Sequence, residues 1–209
     1  MSDKAEETKL NIAMFGHKRI PSREGGIEVV VEELSTRMVE QGHHVTCFNR
    51  SGHHVAGSEF DTKQYDEYKG IKLKEVFTIN KKGFAAMTSS VLASFKASFG
   101  KYDIVHIHAE GPAFMCWLPK LMRKRVIVTV HGLDHQRAKW GKCASLYIMM
   151  GEKNAVRFAD EIIVLSQGVK NYFKETYNRD CVFIPNGVNR PTVKKADLIT
   201  NLNFPPQKY

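Results

Sequence analysis

The stretch NIAMFGHKRIPSREGGIEVVVEELSTRM, Asn11 to Met38, decides the fold class. Asn11 to Phe15 is an unbroken apolar run of the kind that forms a strand buried on both faces. After the pair Gly25 and Gly26, the residues Ile27, Val30, Val31, Leu34 and Met38 recur at helical spacing, and Gly42 closes the pattern. A strand, a polar glycine-containing loop and an amphipathic helix make the first half of a βαβ unit. The loop lacks the G-x-G-x-x-G spacing of a dinucleotide fingerprint. Its purpose has to be sought elsewhere.

Outward from that unit the same alternation continues. Strands are predicted at His44–Asn49, Ile71–Ile79, from Asp103 to about Ile107, and at Arg125–Val130, and again in EIIVLS and CVFIP. Helices are predicted over Phe84–Phe99, Pro112–Leu121, about Ala144–Phe158 and about Gln167–Thr176. Strands separated by helices of 10 to 15 residues mean a mainly parallel sheet covered on both faces, so the fold class is α/β, a Rossmann-like doubly wound domain. In the helix over Phe84–Phe99, the residues Phe84, Met87, Val91, Phe95 and Phe99 form one stripe. A crossover helix must bury one face on its sheet, and this stripe is expected to be that face.

Composition narrows the function classes. With 209 residues, 43% apolar and 25% charged, the chain can bury a full core, and neither disorder nor a collagen-like repeat fits. No apolar run approaches the roughly 18 residues of a spanning helix, and MSDKAEETKL has no apolar signal region, so a cytoplasmic protein is expected. Four widely spaced cysteines without a C-x-x-C pair suggest reduced, mostly buried thiols rather than a zinc knuckle or disulfides. The formal charge of +9 favours an anionic partner: nucleic acid, a membrane surface or a phosphorylated ligand. Seven Lys/Arg against the single acid Asp134 lie between Trp117 and Lys142.

Doubly wound sheets bind ligands at the carboxyl ends of their strands, where strand order reverses. The residues to weigh are therefore those after Phe15, Ile107, Val130 and Leu165. After the first strand come Lys18, Arg19 and Arg23, then Gly25 and Gly26 at a helix N-terminus, where free N–H groups and the helix dipole suit an anion. A tight turn is the plainer reading of the same glycines. HIHAEGPA places His106 and His108 on one face, with one expected to be packed and the other to reach the cleft. Together with His131 and His135 these suggest a zinc site only weakly, because no Asp or Glu stands at ligand spacing, and no metal is expected. In TVHGLDHQRAKWG, His131 leaves its strand beside Asp134, Arg137, Lys139 and Trp140. Hydrogen-bonding groups and a flat ring at a cleft suit a sugar or sugar phosphate.

The series strand, GG-helix, YDIVHIH, VIVTVHG, EKNAVRFADEIIVLS and VFIPNGV resembles the N-terminal domain of GT-B glycosyltransferases of the retaining family 4. With GGIE and GLDHQRAKWG it resembles most the rhamnosyltransferase-like branch of polysaccharide biosynthesis, capsule included, over about Asn11 to Asn189. The resemblance implies transfer of a sugar, rhamnose being the candidate, from a nucleotide-diphosphate sugar to a glycan or lipid-pyrophosphate-linked acceptor, without metal or cofactor. It implies that Gly25 and Gly26 lie over the donor diphosphate and that His131 is the catalytic residue facing the donor sugar. His108, Glu110, Asp134, Arg137 and Trp140 are implied to face the acceptor or the sugar. Residues 1–9 are then a disordered or tag-like extension, 10–188 the acceptor-side domain, and 189–209 a linker toward a C-terminal donor-binding domain missing from this chain. Such a fragment is expected to fold and not to transfer sugar. The cations from Lys120 to Arg125 are candidates for an anionic membrane surface, at about 1 kcal/mol each, with a solvated helix end as the alternative. The competing class is a stand-alone Rossmann-type domain for a nucleotide or nucleic acid. The absence of interleaved aromatic and basic residues speaks against nucleic acid.

Overall fold

A computed structural model describes residues 8–23, 25–52, 65–79, 81, 84–133 and 141–187. Most of the expected N-terminal extension (residues 1–7) and the whole linker 189–209 lie outside the described residues. The strands are β1 (Asn11–Phe15), β2 (His44–Arg50), β3 (Glu67–Tyr68), β4 (Ile71–Val76), β5 (Ile104–His108), β6 (Arg125–Val130), β7 (Glu161–Val164) and β8 (Val182–Phe183). The helices are α1 (Gly26–Glu40), α2 (Phe84–Phe99), α3 (Glu110–Ala113), α4 (Trp117–Leu121), α5 (Lys142–Phe158) and α6 (Gln167–Tyr177).

One sheet holds all eight strands in the order β3-β4-β2-β1-β5-β6-β7-β8. Every pairing is parallel except β3 with β4, which is antiparallel. The α/β doubly wound fold expected from the sequence is therefore the fold of the chain. From β1 the chain builds outward to β2 and β4, then returns to start β5 on the other side of β1. The switch point lies between the carboxyl ends of β1 and β5, where Phe15 stands opposite Ile107.

Period-two alternation divides β1 between two cores. Ile12 and Met14 join Val31, Val45, Cys47, Ile71 and Leu73, against which Ile27, Leu34 and Met38 of α1 pack. Ala13 and Phe15 face the other layer, with Val105, Ile107, Val128, Ala93 and Ala97. The helical face read from the first stretch of sequence is thus the face that covers the sheet. Cys47, Cys116 and Cys181 are buried, Cys143 is exposed, and all four are free thiols. Among the described residues no helix is long and apolar enough to cross a membrane.

The face of α2 differs from expectation. Its ends match the reading from sequence, yet the stripe points outward, with Phe84, Phe95 and Phe99 at 51%, 46% and 67% exposure. The buried residues are Ser89, Ser90, Ala93, Ser94, Ala97 and Ser98. Small side chains let α2 approach the sheet, α3 and α4 closely, and the serine hydroxyls are neutralised locally. Ser89 donates to the Ala85 carbonyl at 2.8 Å, Ser98 to Ser94 at 2.6 Å, and Ser94 to Met115 at 3.2 Å. A serine whose hydroxyl is satisfied by a carbonyl packs much like alanine.

Three smaller differences have local causes. The two-residue β3 is too short to carry a period. β4 ends at Val76, and Phe77 beyond it is 67% exposed. The single helix expected over Pro112–Leu121 is two short ones, α3 and α4, and each carries its proline within its first three residues, where a missing N–H costs least.

Candidate functional site

The carboxyl ends of β1, β5 and β6 form the floor of the site. Gly16 leaves β1 with φ +112°, and a Cβ there would stand 2.0 Å from the carbonyl oxygen of His108 at the end of β5. Only glycine lets the two backbones meet. The loop that follows is held from several sides. His17 and Asn49 of β2 meet at 3.0 Å, Asn49 donates to the Ile20 carbonyl at 2.8 Å, and the Lys18 amide donates to Glu28 of α1 at 2.8 Å.

The cations of this loop are not all turned to the cleft. Arg19 is buried against Glu75 at 2.7 Å, and Arg23 lies 3.5 Å from the buried Glu32. Of the three cations that follow the first strand, two pair with carboxylates. Arg50 stands within electrostatic range of His17, Glu28 and Tyr147. It ends β2 with its Nε buried and without a hydrogen-bond partner among the described residues. Burial lowers its pKa, and Glu28 and Tyr147 oppose that shift.

Gly25 and Gly26 have different reasons to be glycine. Gly25 is the N-cap of α1, in extended conformation, and a Cβ on it would stand 2.1 Å from Glu28 Oε2. Gly26 opens the helix, is exposed, and has nothing within 4 Å of where a Cβ would be. No packing contact among the described residues calls for glycine at Gly26.

The histidines are collected by the strand register. His106 and Thr129 bond at 2.7 Å across β5 and β6, and the His106 and His108 rings stack with centroids 4.3 Å apart. His108 Nδ1 lies 3.2 Å from His131 Nε2. His108 is fully buried, and its Nε2 has no partner among the described residues. Burial pushes the pKa of His17 and His106 down to about 4, and burial followed by its histidine neighbours holds His108 well below the ordinary 6.5. At neutral pH these rings are uncharged hydrogen-bonding groups. Among the described residues no group of three His, Cys, Asp or Glu is placed to hold a metal ion.

The predicted site residues are distributed unevenly. His131 stands partly exposed directly after β6, and Gly25 and Gly26 stand at the start of α1. His108 and Glu110 are enclosed, at 0% and 1% exposure, and His108 Nδ1 faces the partly exposed His131. Glu110 opens α3, on which α5 presses so closely that a Cβ on Gly151 would meet the Glu110 carbonyl oxygen, and the distance would be 1.9 Å. Asp134, Arg137 and Trp140 lie outside the described residues. Sequence reasoning does not single out His17, Arg50 or Tyr147. The glycine-histidine pair directly after a buried strand is the available signal for His17, and nothing local marks the other two.

The sequence profile described as Glycosyltransferase Family 4 matches residues 24–190. No curated protein sequence matches the chain. Among solved structures, sucrose-phosphate synthase from Thermosynechococcus elongatus aligns with TM-score 0.66 at 19% identity, over 94% of this chain and 53% of its own. HepE from Anabaena, in complex with UDP and glucose, aligns with TM-score 0.65 at 14% identity, over 93% of this chain and 50% of its own. The catalytic domain of starch synthase IV from Arabidopsis thaliana, bound to ADP and acarbose, gives 0.61 at 15% identity, over 87% and 52%. At these identities the likeness carries the fold, and the chain spans about half the length of each structure.

Proposed function

The chain belongs to glycosyltransferase family 4, and from that premise we propose that it is the acceptor-side half of a GT-B enzyme. In this reading the enzyme moves a sugar, rhamnose in the narrowest form, from a nucleotide-diphosphate donor to a glycan or lipid-pyrophosphate-linked acceptor in cell-surface polysaccharide synthesis. The observation that carries it is the open space at Gly26, at the start of α1, on the same end of the sheet as His131. Transfer breaks the bond between the anomeric carbon and the diphosphate oxygen and forms one to the acceptor oxygen, whose hydroxyl proton leaves with the departing diphosphate. Negative charge grows on the leaving diphosphate, and free N–H groups of the first helical turn can receive it. His131, Asp134, Arg137 and Trp140 would hold the sugar and acceptor in line, a contribution of position rather than of covalent chemistry. HepE with UDP and glucose, and starch synthase IV with ADP and acarbose, support a nucleotide sugar as the donor class.

In this reading residues 10–188 form one lip of an interdomain cleft and residues 189–209 lead to the donor-binding domain. The family match does not favour the stand-alone nucleotide- or nucleic-acid-binding alternative. The test is transfer of labelled sugar from a panel of nucleotide-diphosphate sugars, comparing the 209-residue chain with a longer polypeptide that adds a donor-binding domain. Transfer by the longer polypeptide alone, lost on Gly26→Leu with the fold intact, is expected. Transfer by the 209-residue chain, or none from any donor by the longer polypeptide, overturns the reading.

The same reading places the enzyme at the cytoplasmic face of an anionic membrane. The outward phenylalanines lie on α2, which packs beside α4, whose Leu121 is 66% exposed. Lys96, Lys101, Arg123 and Arg125 are exposed, Lys96 donates to the Glu75 carbonyl at 3.0 Å, and α2 itself contains no acid. Two of the expected cluster are committed elsewhere: Lys120 pairs with Asp160, and Lys124 donates to the Gly100 and Tyr102 carbonyls at 2.9 Å. Exposed phenylalanines on an acid-free helix, together with exposed cations of the same domain, suit a bilayer with negative head groups. Sedimentation with anionic vesicles, absent with neutral vesicles and reduced at least several-fold by Phe95→Ser with Phe99→Ser, is expected. Equal, negligible binding to both vesicle types removes the membrane from the proposal.

A further inference from the structure

We infer that His108 is a positioning residue that fixes the tautomer of His131, holding it neutral with its proton on Nδ1. The inference rests on reading His131 as the sugar-facing residue only for its consequence; the tautomer stands on geometry alone.

The ring of His108 is clamped. His106 stacks on one side of it, and Gly16 meets its carbonyl. The next residue, Ala109, is tied by its amide to the Thr129 carbonyl at 2.9 Å. In this pose Nδ1 faces His131 Nε2 at 3.2 Å, while Nε2 is buried with no partner among the described residues. A neutral imidazole has one N–H to place. On Nε2 it would be a buried donor with nothing to accept it, the costlier kind of unmet polar group, whereas a bare ring nitrogen there leaves only a lone pair unmet. On Nδ1 it donates to His131 Nε2. The same accounting holds for His17, whose Nε2 donates to Asn49 Oδ1 and whose buried Nδ1 is the bare nitrogen.

With Nε2 of His131 committed as acceptor, the single proton of its neutral ring lies on Nδ1. Protonating His131 would set two N–H groups against each other unless His108 moved its own proton to the buried Nε2. His131 is thereby kept from acting as a cationic general acid. In this state the ring carries an N–H and no charge, so it adds no positive charge near an anomeric carbon that itself becomes positive.

The test is long-range proton–nitrogen NMR of the imidazoles in the 209-residue chain at neutral pH, with His131 assigned by its absence in His131→Gln. The expected spectrum shows a neutral His131 with the proton on Nδ1. In His108→Asn, whose amide nitrogen falls near the position of Nδ1, the signature persists. In His108→Phe, which keeps a ring and removes the donor, it moves toward the Nε2-protonated form. A wild-type His131 that is protonated on Nε2, or charged, overturns the inference, and so does an unchanged tautomer in folded His108→Phe. The wild-type spectrum decides by itself should the phenylalanine variant fail to fold. Because no sugar transfer is measured, this result is independent of whether the glycosyltransferase reading holds.

Discussion

Gly16 and His108 touch through their backbones: the position a Cβ would take on Gly16 is 2.0 Å from the His108 carbonyl oxygen, and Gly16 has φ +112°. The contact joins the ends of β1 and β5 at the switch point and sets the height of the histidine floor. Gly16→Ala combines a clash with backbone and an unfavourable φ, so neither strand can yield without breaking its ladder. A loss of about 3 kcal/mol or more is expected in urea unfolding. A loss under about 1 kcal/mol would mean that the two strand ends are not held together as described.

Acid should weaken the domain within a definite window. His17, His106 and His108 are held neutral in the fold, the first two with pKa about 4, whereas the unfolded chain takes up protons near 6.5. The unfolded state therefore binds more protons between pH 6.5 and 4, and stability falls as pH falls across that interval. Above pH 6.5 the effect is absent. His17 and His106 each contribute at most on the order of 3 kcal/mol by pH 4. Asp103, kept below its ordinary 3.8 by the Asn11 amide and side chain, acts only below this window. Urea midpoints measured from pH 7 to 4 should decline, and His106→Gln should flatten the slope by about one proton's worth.

Much of this fold is legible in the sequence because its signals are local. β1 and β6 can be read to the residue, since fully apolar runs bounded by polar residues have one good interpretation in a parallel sheet. The face of α2 is misread when hydrophobicity is taken as the sign of burial. Serine and alanine carry no such signal, and their advantage appears only when a second surface comes close. The site is legible in part for a related reason. Position after a strand identifies His131, but enclosure of Glu110 depends on α5, whose Gly151 lies 41 residues downstream, and Arg50 and Tyr147 meet only in the folded chain. Side chains whose meaning comes from tertiary partners leave little trace in a single sequence.

The small-residue face of α2 makes a prediction with two signs. Ala97 is fully buried, so Ala97→Leu forces extra volume into a close contact and should cost about 1–3 kcal/mol. Phe99, at 67% exposure, has little burial to lose, and Phe99→Ser should change stability by no more than about 1 kcal/mol. Thermal or urea unfolding of the two variants separates this arrangement from the one in which the phenylalanine stripe is the core. That arrangement reverses the order.

Gly25 and Gly26 are neighbours with opposite expected responses. A Cβ on Gly25 would meet Glu28 Oε2 at 2.1 Å, so Gly25→Ala must push that carboxylate aside. The Glu28 side chain is flexible at its end, but its other oxygen accepts from the Lys18 amide at 2.8 Å and orders the loop. Moving it should cost about 1–2 kcal/mol, and in a double-mutant cycle the Gly25→Ala substitution should lose most of that cost once Glu28→Ala has been made. At Gly26 nothing lies within 4 Å, and the residue is already helical. Gly26→Ala should therefore leave stability unchanged or raise it by up to about 1 kcal/mol, because alanine restricts the unfolded chain and favours the helix. A glycine that is replaceable for folding needs another reason to be there. In the glycosyltransferase reading that reason is approach of the diphosphate, so Gly26→Leu in a longer, transfer-competent polypeptide should abolish transfer while its far-ultraviolet circular dichroism and unfolding midpoint stay near wild type. Retained transfer in a folded Gly26→Leu enzyme would detach the start of α1 from the donor.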